Sequence, residues 1–304
     1  MAKKAFIFPG QGSQYVGMAE DLYNNSVEAR EMILMADDAL RINLSYILFK
    51  GPEAELKQSE FTQPAIFLHS VVIASIIRTL IPNAAAGHSV GEYSALVSSG
   101  AIQFYDAVKL VRERGIAMQQ AGSENKGTMA AIVGLEPEQV KQCCEEASEF
   151  GIVQPANYNS PGQIVISGSI EGVHKAMDIC KTKGAKLVKE LQVSGAFHSP
   201  LMVPAKEKLK SALEKTPIYD TKFPVYANVT AKPVLKKDEI SNLLYEQMTA
   251  PVPWTDIINN MINDGIEEFY EIGPGKVLQG LVKRINPNVK TFGLDKYAEV
   301  EKYL

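Results

Sequence analysis

Five residues, Gly87-His88-Ser89-Val90-Gly91, restrict this chain more than any other stretch, because they fit G-x-S-x-G. That pattern marks a sharp turn between a strand and a helix. The backbone there closes on itself so tightly that glycine is needed at the flanks, and the serine hydroxyl is presented beside the N–H of the next residue. The alternative is a glycine-rich helix start in which Ser89 only caps. Context favours a nucleophile: the small-residue run 83–87 precedes the motif and helical spacing over 89–99 follows it.

The rest of the chain supplies a setting for such a turn. An apolar strand over 4–8 breaks into Pro9-Gly10-Gln11-Gly12-Ser13-Gln14, a glycine-rich loop that lets backbone N–H groups approach a ligand. Helical spacing recurs over 27–39, 64–80 and 105–120, and this alternation predicts an α/β core with a mostly parallel sheet. The middle differs. A strand over 128–133, a helix over 137–148 and strands over 151–156 and 163–167 are followed by a helix over 170–183 and a strand over 185–193. The two central strands are joined by the turn Asn159-Ser160-Pro161-Gly162. In order this is β-α-β-β-α-β, a ferredoxin-like unit. The expected organisation is a discontinuous large domain, 1–126 and 197–304, with the small domain 127–196 inserted. Beyond the insert come a helix over 200–215, a strand over 225–228, a helix over 254–265 and a strand over 268–271. The turn 273–276 then precedes a final helix.

Composition narrows the functional classes. The 304 residues are 46% hydrophobic and 22% charged, near the average for folded domains. A net charge of -4 argues against a general nucleic-acid binder, so an anionic ligand must be held by local positive charge. No apolar run is long enough to cross a bilayer, and the apolar segment 5–8 is too short for a signal-peptide core. Three cysteines, two of them adjacent, offer no disulfide framework or metal spacing. The expected compartment is the cytoplasm, where the sequons at Asn24, Asn43 and Asn228 carry no meaning.

A serine nucleophile needs a base, and only four histidines are present. His88 adjoins Ser89, but successive residues at an elbow point apart. His69 sits in an apolar helical stretch and His174 on the solvated side of its helix. His198 remains, in Gly195-Ala196-Phe197-His198-Ser199-Pro200, where the chain leaves the insert. No acidic residue occupies an obvious orienting position, which counts against a plain esterase; a backbone carbonyl can fix the tautomer instead. Arg114 has Val111 and Met118 one turn to either side and so faces inward, where an unpaired charge is costly. Its partner is either a structural carboxylate or a substrate carboxylate, and the residues alone leave the two even. Gly10-x-Gly12 lacks the third dinucleotide-binding glycine, and Val277 after Gly275-Lys276 breaks a phosphate-loop pattern.

FPGQGSQ at 8–14, GHSVGEYSAL at 87–96, NSPGQIVISG at 159–168, GAFHSPLM at 195–202 and EIGPGKVLQGL at 271–281 occur in this order. Together they resemble the malonyl-CoA:acyl carrier protein transacylases of bacterial type II fatty acid synthesis, over nearly the whole chain. The resemblance implies an α/β-hydrolase-like large domain with a ferredoxin-like insert. It implies Ser89 as nucleophile, His198 as base, the N–H groups of Gln11 and Val90 as oxyanion hole, and Arg114 on the malonyl carboxylate. It further implies the Gln247 carbonyl as orienter of His198, and Met118, Asn159 and Phe197 on the acyl site, Phe197 excluding substituted acyl chains. Malonyl-CoA and holo-acyl carrier protein would be the substrates, with no cofactor or metal and a monomer sufficient. Two basic patches, Lys181, Lys183, Lys186 and Lys189, or Lys276, Lys283 and Arg284, are either carrier-docking candidates or ordinary solvated charged faces. The alternatives are an acyltransferase serving a polyketide synthase, a hydrolase, and an inactive carrier-binding scaffold.

Overall fold

Ten strands sort into two sheets in the computed structural model, which describes residues 2–304. They are β1 (Lys3–Phe8), β2 (Ala84–Gly87), β3 (Gly127–Val133), β4 (Val153–Ser160), β5 (Gln163–Ser169), β6 (Leu187–Glu190), β7 (Val225–Tyr226), β8 (Pro233–Val234), β9 (Ile266–Ile272) and β10 (Lys290–Leu294). The larger sheet has the order β10-β9-β1-β2-β7-β8, parallel except for the final hairpin pair. Its register sets Phe8 beside Gly87. The loops after β1 and β2 therefore leave the sheet side by side at its carboxyl edge, where parallel sheets place their ligands. This brings the Gln11 loop and the Ser89 turn together although they are far apart in sequence.

One helix in the large unit is buried nearly all round. Ser59–Ile76 runs under the site and packs along Phe104–Glu124. Pro64 lies inside it and cannot donate to the Glu60 carbonyl one turn back. The Arg112 guanidinium supplies that missing donor and also pairs with the Glu60 carboxylate at 2.8 Å. Gly115 lets the two helices touch, since a Cβ there would lie 2.6 Å from the Ser59 carbonyl oxygen. The close contact carries the neighbouring Arg114 into the interior.

The smaller sheet is antiparallel with order β4-β5-β3-β6, the ferredoxin-like arrangement. Alternate residues serve its two faces. Ala130, Ile132, Ile164 and Ile166 pack under the helices Pro137–Ala147 and Ile170–Thr182 in a separate core. Cys143, Cys144 and Cys180 belong to that core as buried free thiols, acting as small hydrophobes. Met129, Ala156 and Val165 face the other way and join the main core. The edge strand β4 also bonds to the large unit: Tyr158 N–H donates to the Val252 carbonyl at 2.9 Å, and Val252 N–H to that of Ala156 at 2.8 Å.

Several sequence expectations shift. The helix expected over 64–80 is Ser59–Ile76, because Arg112 rescues the turn that Pro64 would otherwise break. The run 83–87 is the central strand β2, its alanines buried on both faces. Asn159 lies in β4 rather than in the turn, which narrows to Pro161 and Gly162. The helix Lys237–Gln247 has no clear signal in the sequence, since only Ile240, Leu244 and Gln247 are buried on it, too sparse a stripe to stand out. Among the described residues no helix is long and apolar enough to cross a membrane.

Candidate active site

The turn after β2 is as tight as its motif requires. A Cβ on Gly87 would fall 1.9 Å from the Gly91 carbonyl carbon, and one on Gly91 would fall 2.2 Å from the Phe8 carbonyl oxygen. Ser89 has φ +54, a left-handed conformation uncommon outside glycine that persists only where the surroundings enforce it. Asn228 does so. Its Oδ1 accepts from Ser89 N–H at 2.8 Å and its Nδ2 donates to the Gly87 carbonyl at 2.7 Å. Asn228 is wholly buried, and its only mark in the sequence was an irrelevant sequon.

His198 meets Ser89 from across the site, with Nε2 2.8 Å from Oγ. Its Nδ1 lies 3.1 Å from the carbonyl oxygens of both Gln247 and Ala250. Two acceptors at Nδ1 hold the proton there and leave the Nε2 lone pair facing the serine hydroxyl. Burial and then the Arg114 charge push the imidazole down to about 3, so it is neutral at pH 7. His198 also has a positive φ, +57, and Gln154 of β4 donates to its carbonyl at 2.9 Å. The small sheet thus helps to hold the imidazole in place, a role that nothing in the sequence signalled.

The other histidines are engaged elsewhere. His88 is turned from Ser89 toward Asn159 Oδ1, 2.9 Å away, and packs on Trp254. His69 is buried against Asp295, and His174 pairs with Glu190 at the surface.

Arg114 is more deeply placed than its helical position suggested, at 1% exposure. Nη1 donates to Gln63 Oε1 at 2.6 Å, while Nη2 donates to Gln247 Oε1 at 3.0 Å and to Ser89 Oγ at 3.2 Å. Neither glutamine carries charge, and Nε has no partner among the described residues. The guanidinium is therefore a buried cation without an ion pair, a costly arrangement unless an anion is to be received. The nearby acid is Glu92, beneath the turn, whose Oε2 accepts from Gln247 Nε2 at 2.6 Å and from Asn228 N–H at 3.1 Å. Burial pushes Glu92 up to about 7, although those hydrogen bonds and the Arg114 charge oppose the rise. Glu92 stands in a motif already noted, but its burial cannot be read from a helix whose other faces are buried too.

Ser89 and His198 open onto a cleft of about 240 Å³ between the two sheets. Gln11, Met118, Asn159 and Phe197 all line it, so the structure brings these four expected residues to one place. The N–H groups of Gln11 and Val90 have no acceptor among the described residues. Apolar side chains cover the far wall: Val277, Leu278 and Leu281 from the helix Val277–Ile285, Val165, Leu191 and Val193 from the small unit. Glu271 holds that helix by accepting from the N–H groups of Leu278 and Gln279, both at 3.0 Å, which explains the acid in the EIGPGK segment. Of the basic residues, Lys181 and Lys183 are paired with Asp178 and Glu146, whereas Arg284 reaches Gln163 at the cleft.

A left-handed elbow serine, an imidazole held in one tautomer and a cleft at a parallel sheet's carboxyl edge define an α/β enzyme of the serine acyl-transfer class. The sequence model of the acyl transferase domain matches residues 5–291, and the chain belongs to that family. The malonyl CoA-acyl carrier protein transacylase of Bacillus subtilis is 44% identical over 99% of this chain and 96% of its own. An acyl carrier protein S-malonyltransferase structure from Vibrio cholerae superposes with a TM-score of 0.95 at 39% identity, covering 99% of each chain. A solved complex of a type II PKS acyl-carrier protein with its malonyl-transacylase also gives 0.95 at 39% identity, covering 100% of this chain and 99% of the other.

Proposed function

We propose that this acyltransferase moves a malonyl group from malonyl-CoA to the phosphopantetheine thiol of an acyl carrier protein, through an ester on Ser89. The observation that carries the reading is the buried, unpaired Arg114 guanidinium 3.2 Å from a hydroxyl that is itself 2.8 Å from the His198 imidazole. A cation at that place can hold the distal carboxylate of a short acyl group while its thioester end meets the nucleophile.

His198 Nε2 takes the Ser89 proton as Oγ bonds to the thioester carbonyl carbon. The oxyanion is received by the N–H groups of Gln11 and Val90, each donor contributing about 3 kcal/mol in comparable sites. Collapse breaks the C–S bond, and the departing thiolate takes the proton back from His198. The carrier thiol then attacks the Ser89 ester by the same steps in reverse, giving ping-pong kinetics. The Gln247 and Ala250 carbonyls hold the imidazole throughout. Asn159 fastens the small unit to the elbow loop through His88. Met118 and Phe197 bound the acyl space, Phe197 excluding substituents beside the thioester carbonyl.

In this reading residues 1–126 and 197–304 are the catalytic domain and 127–196 an insert that closes the cleft. The protein works without a cofactor, as a monomer in the cytoplasm, and supplies fatty acid synthesis. A polyketide pathway is the second reading, favoured by the likeness to the complexed PKS transacylase. Mixing with malonyl-CoA and measuring intact mass tests the proposal. One malonyl group should appear on Ser89, and holo-carrier protein should discharge it far faster than water does. An adduct lost equally fast to water would make the enzyme a hydrolase, and no adduct at all would make it a scaffold.

A further inference from the structure

Resting on the reading of Arg114 as the receptor for the distal carboxylate, we infer that Glu92 is a positioning residue for acyl selectivity, acting on Arg114 through the Gln247 side chain. Glu92 is 3% exposed, in the first turn of the helix Gly91–Ser98 that follows the elbow. An ionisable carboxyl there is costly to bury, and a hydrophobic side chain would fill the space more cheaply. The hydrogen bonds around it show what the carboxyl does. Gln247 Nε2 donates to Glu92 Oε2 at 2.6 Å and to the Ser89 carbonyl at 3.0 Å. With its nitrogen committed to two acceptors, the Gln247 amide can face only one way, and Oε1 is left to accept from Arg114 Nη2 at 3.0 Å. A flipped amide would set NH2 against guanidinium, donor against donor. Without Glu92 the main bond that prevents this flip is lost, and with it the anchor that keeps Nη2 within 3.2 Å of Ser89 Oγ.

The test measures the ratio of malonyl to acetyl transfer onto Ser89, since acetyl has no carboxylate for Arg114 to hold. Glu92→Ala should lower that ratio about tenfold or more, as expected for loosening a charged hydrogen-bonded anchor. Glu92→Gln, whose carbonyl oxygen can accept from both donors, should keep the ratio within about threefold. In an Arg114→Ala background, Glu92→Ala should change the ratio no further, because its effect runs through the missing guanidinium. Equal slowing of both donors by Glu92→Ala, or the same loss of ratio with and without Arg114, overturns the inference and leaves Glu92 a structural residue. If Arg114→Ala alone leaves the ratio unchanged, the underlying reading fails and the inference falls with it. Melting curves establish that each variant folds. Should Glu92→Ala not fold, Glu92→Asp keeps a carboxyl, withdraws the acceptor and is judged by the same criteria.

Discussion

Lowering the pH below 7 separates His198 from an ordinary histidine. Burial and the Arg114 charge together take its imidazole from 6.5 to about 3, although the Gln247 and Ala250 carbonyls oppose the shift. The difference, 6.5 − 3, is worth about 5 kcal/mol against the protonated form. A base this reluctant to charge keeps its Nε2 lone pair free well into the acid range. The acid limb of kcat/KM reports the free enzyme, so it should fall below pH 5 rather than near 6.5. Single-turnover acylation of Ser89 by acetyl-CoA measures it cleanly, because acetyl has no carboxylate to titrate. The second cause can be tested separately: Arg114→Met removes the repelling charge and should move the limb upward. A limb near 6.5 that Arg114→Met does not move would refute the reasoning. Stability should follow the same group. For a base whose folded pKa is depressed, the contribution is present above 6.5 and is lost as pH falls from there toward 3. Buried His69 and His88, also pushed down by desolvation, add to that loss.

Other consequences concern the elbow and the acyl space. Gly91→Ala should destabilise the fold by more than about 3 kcal/mol or leave it inactive, since the new Cβ would sit 2.2 Å from the Phe8 carbonyl oxygen; a melting temperature and a transfer assay check both. Asn228→Ala strands the Ser89 N–H and the Gly87 carbonyl, at about 1–3 kcal/mol for each unmet group, and should cost acylation rate as well as denaturant midpoint. Glu92 has a raised folded pKa, so its contribution is present below 4.5 and is lost as pH rises through about 7. Glu92→Gln removes that one falling contribution, so between pH 4.5 and 7 the melting temperature of the variant should rise more, or fall less, than that of the native chain.

The turn at Ser89 and the histidine that meets it were legible because such residues are scarce: one G-x-S-x-G and four histidines leave few choices. The parallel sheet and the β-α-β-β-α-β insert were legible from the order in which short apolar strands alternate with one-sided helices such as Pro137–Ala147 and Ile170–Thr182, not from strand periodicity, since β1 and β2 are buried as continuous runs. What surrounds the reacting atoms was less so. Asn228, Gln154, Gln63 and Glu92 act through hydrogen bonds to residues remote in sequence, the longest linking Glu92 and Gln247 across 155 positions. A polar side chain aimed inward leaves no periodic trace, and a neutral amide leaves no charge pattern. Gln247 itself entered only through family resemblance, on a helix whose apolar stripe was too thin to announce it. No acid bonds His198 directly; Glu92 holds the side-chain amide of Gln247, whose main-chain carbonyl faces the imidazole.

In the proposed reaction Ser89 carries an acyl group chosen by its carboxylate. Exposing the enzyme to equal malonyl-CoA and acetyl-CoA, and weighing the Ser89 peptide before and after Arg114→Met, tests it most directly. Two charge-assisted hydrogen bonds of about 1.5–3 kcal/mol each correspond to a shift in the malonyl-to-acetyl ratio of about a hundredfold or more. The native chain should carry malonyl on Ser89, and the variant should shift toward acetyl by that amount. The same ratio in both, or an adduct on any residue other than Ser89, would contradict it.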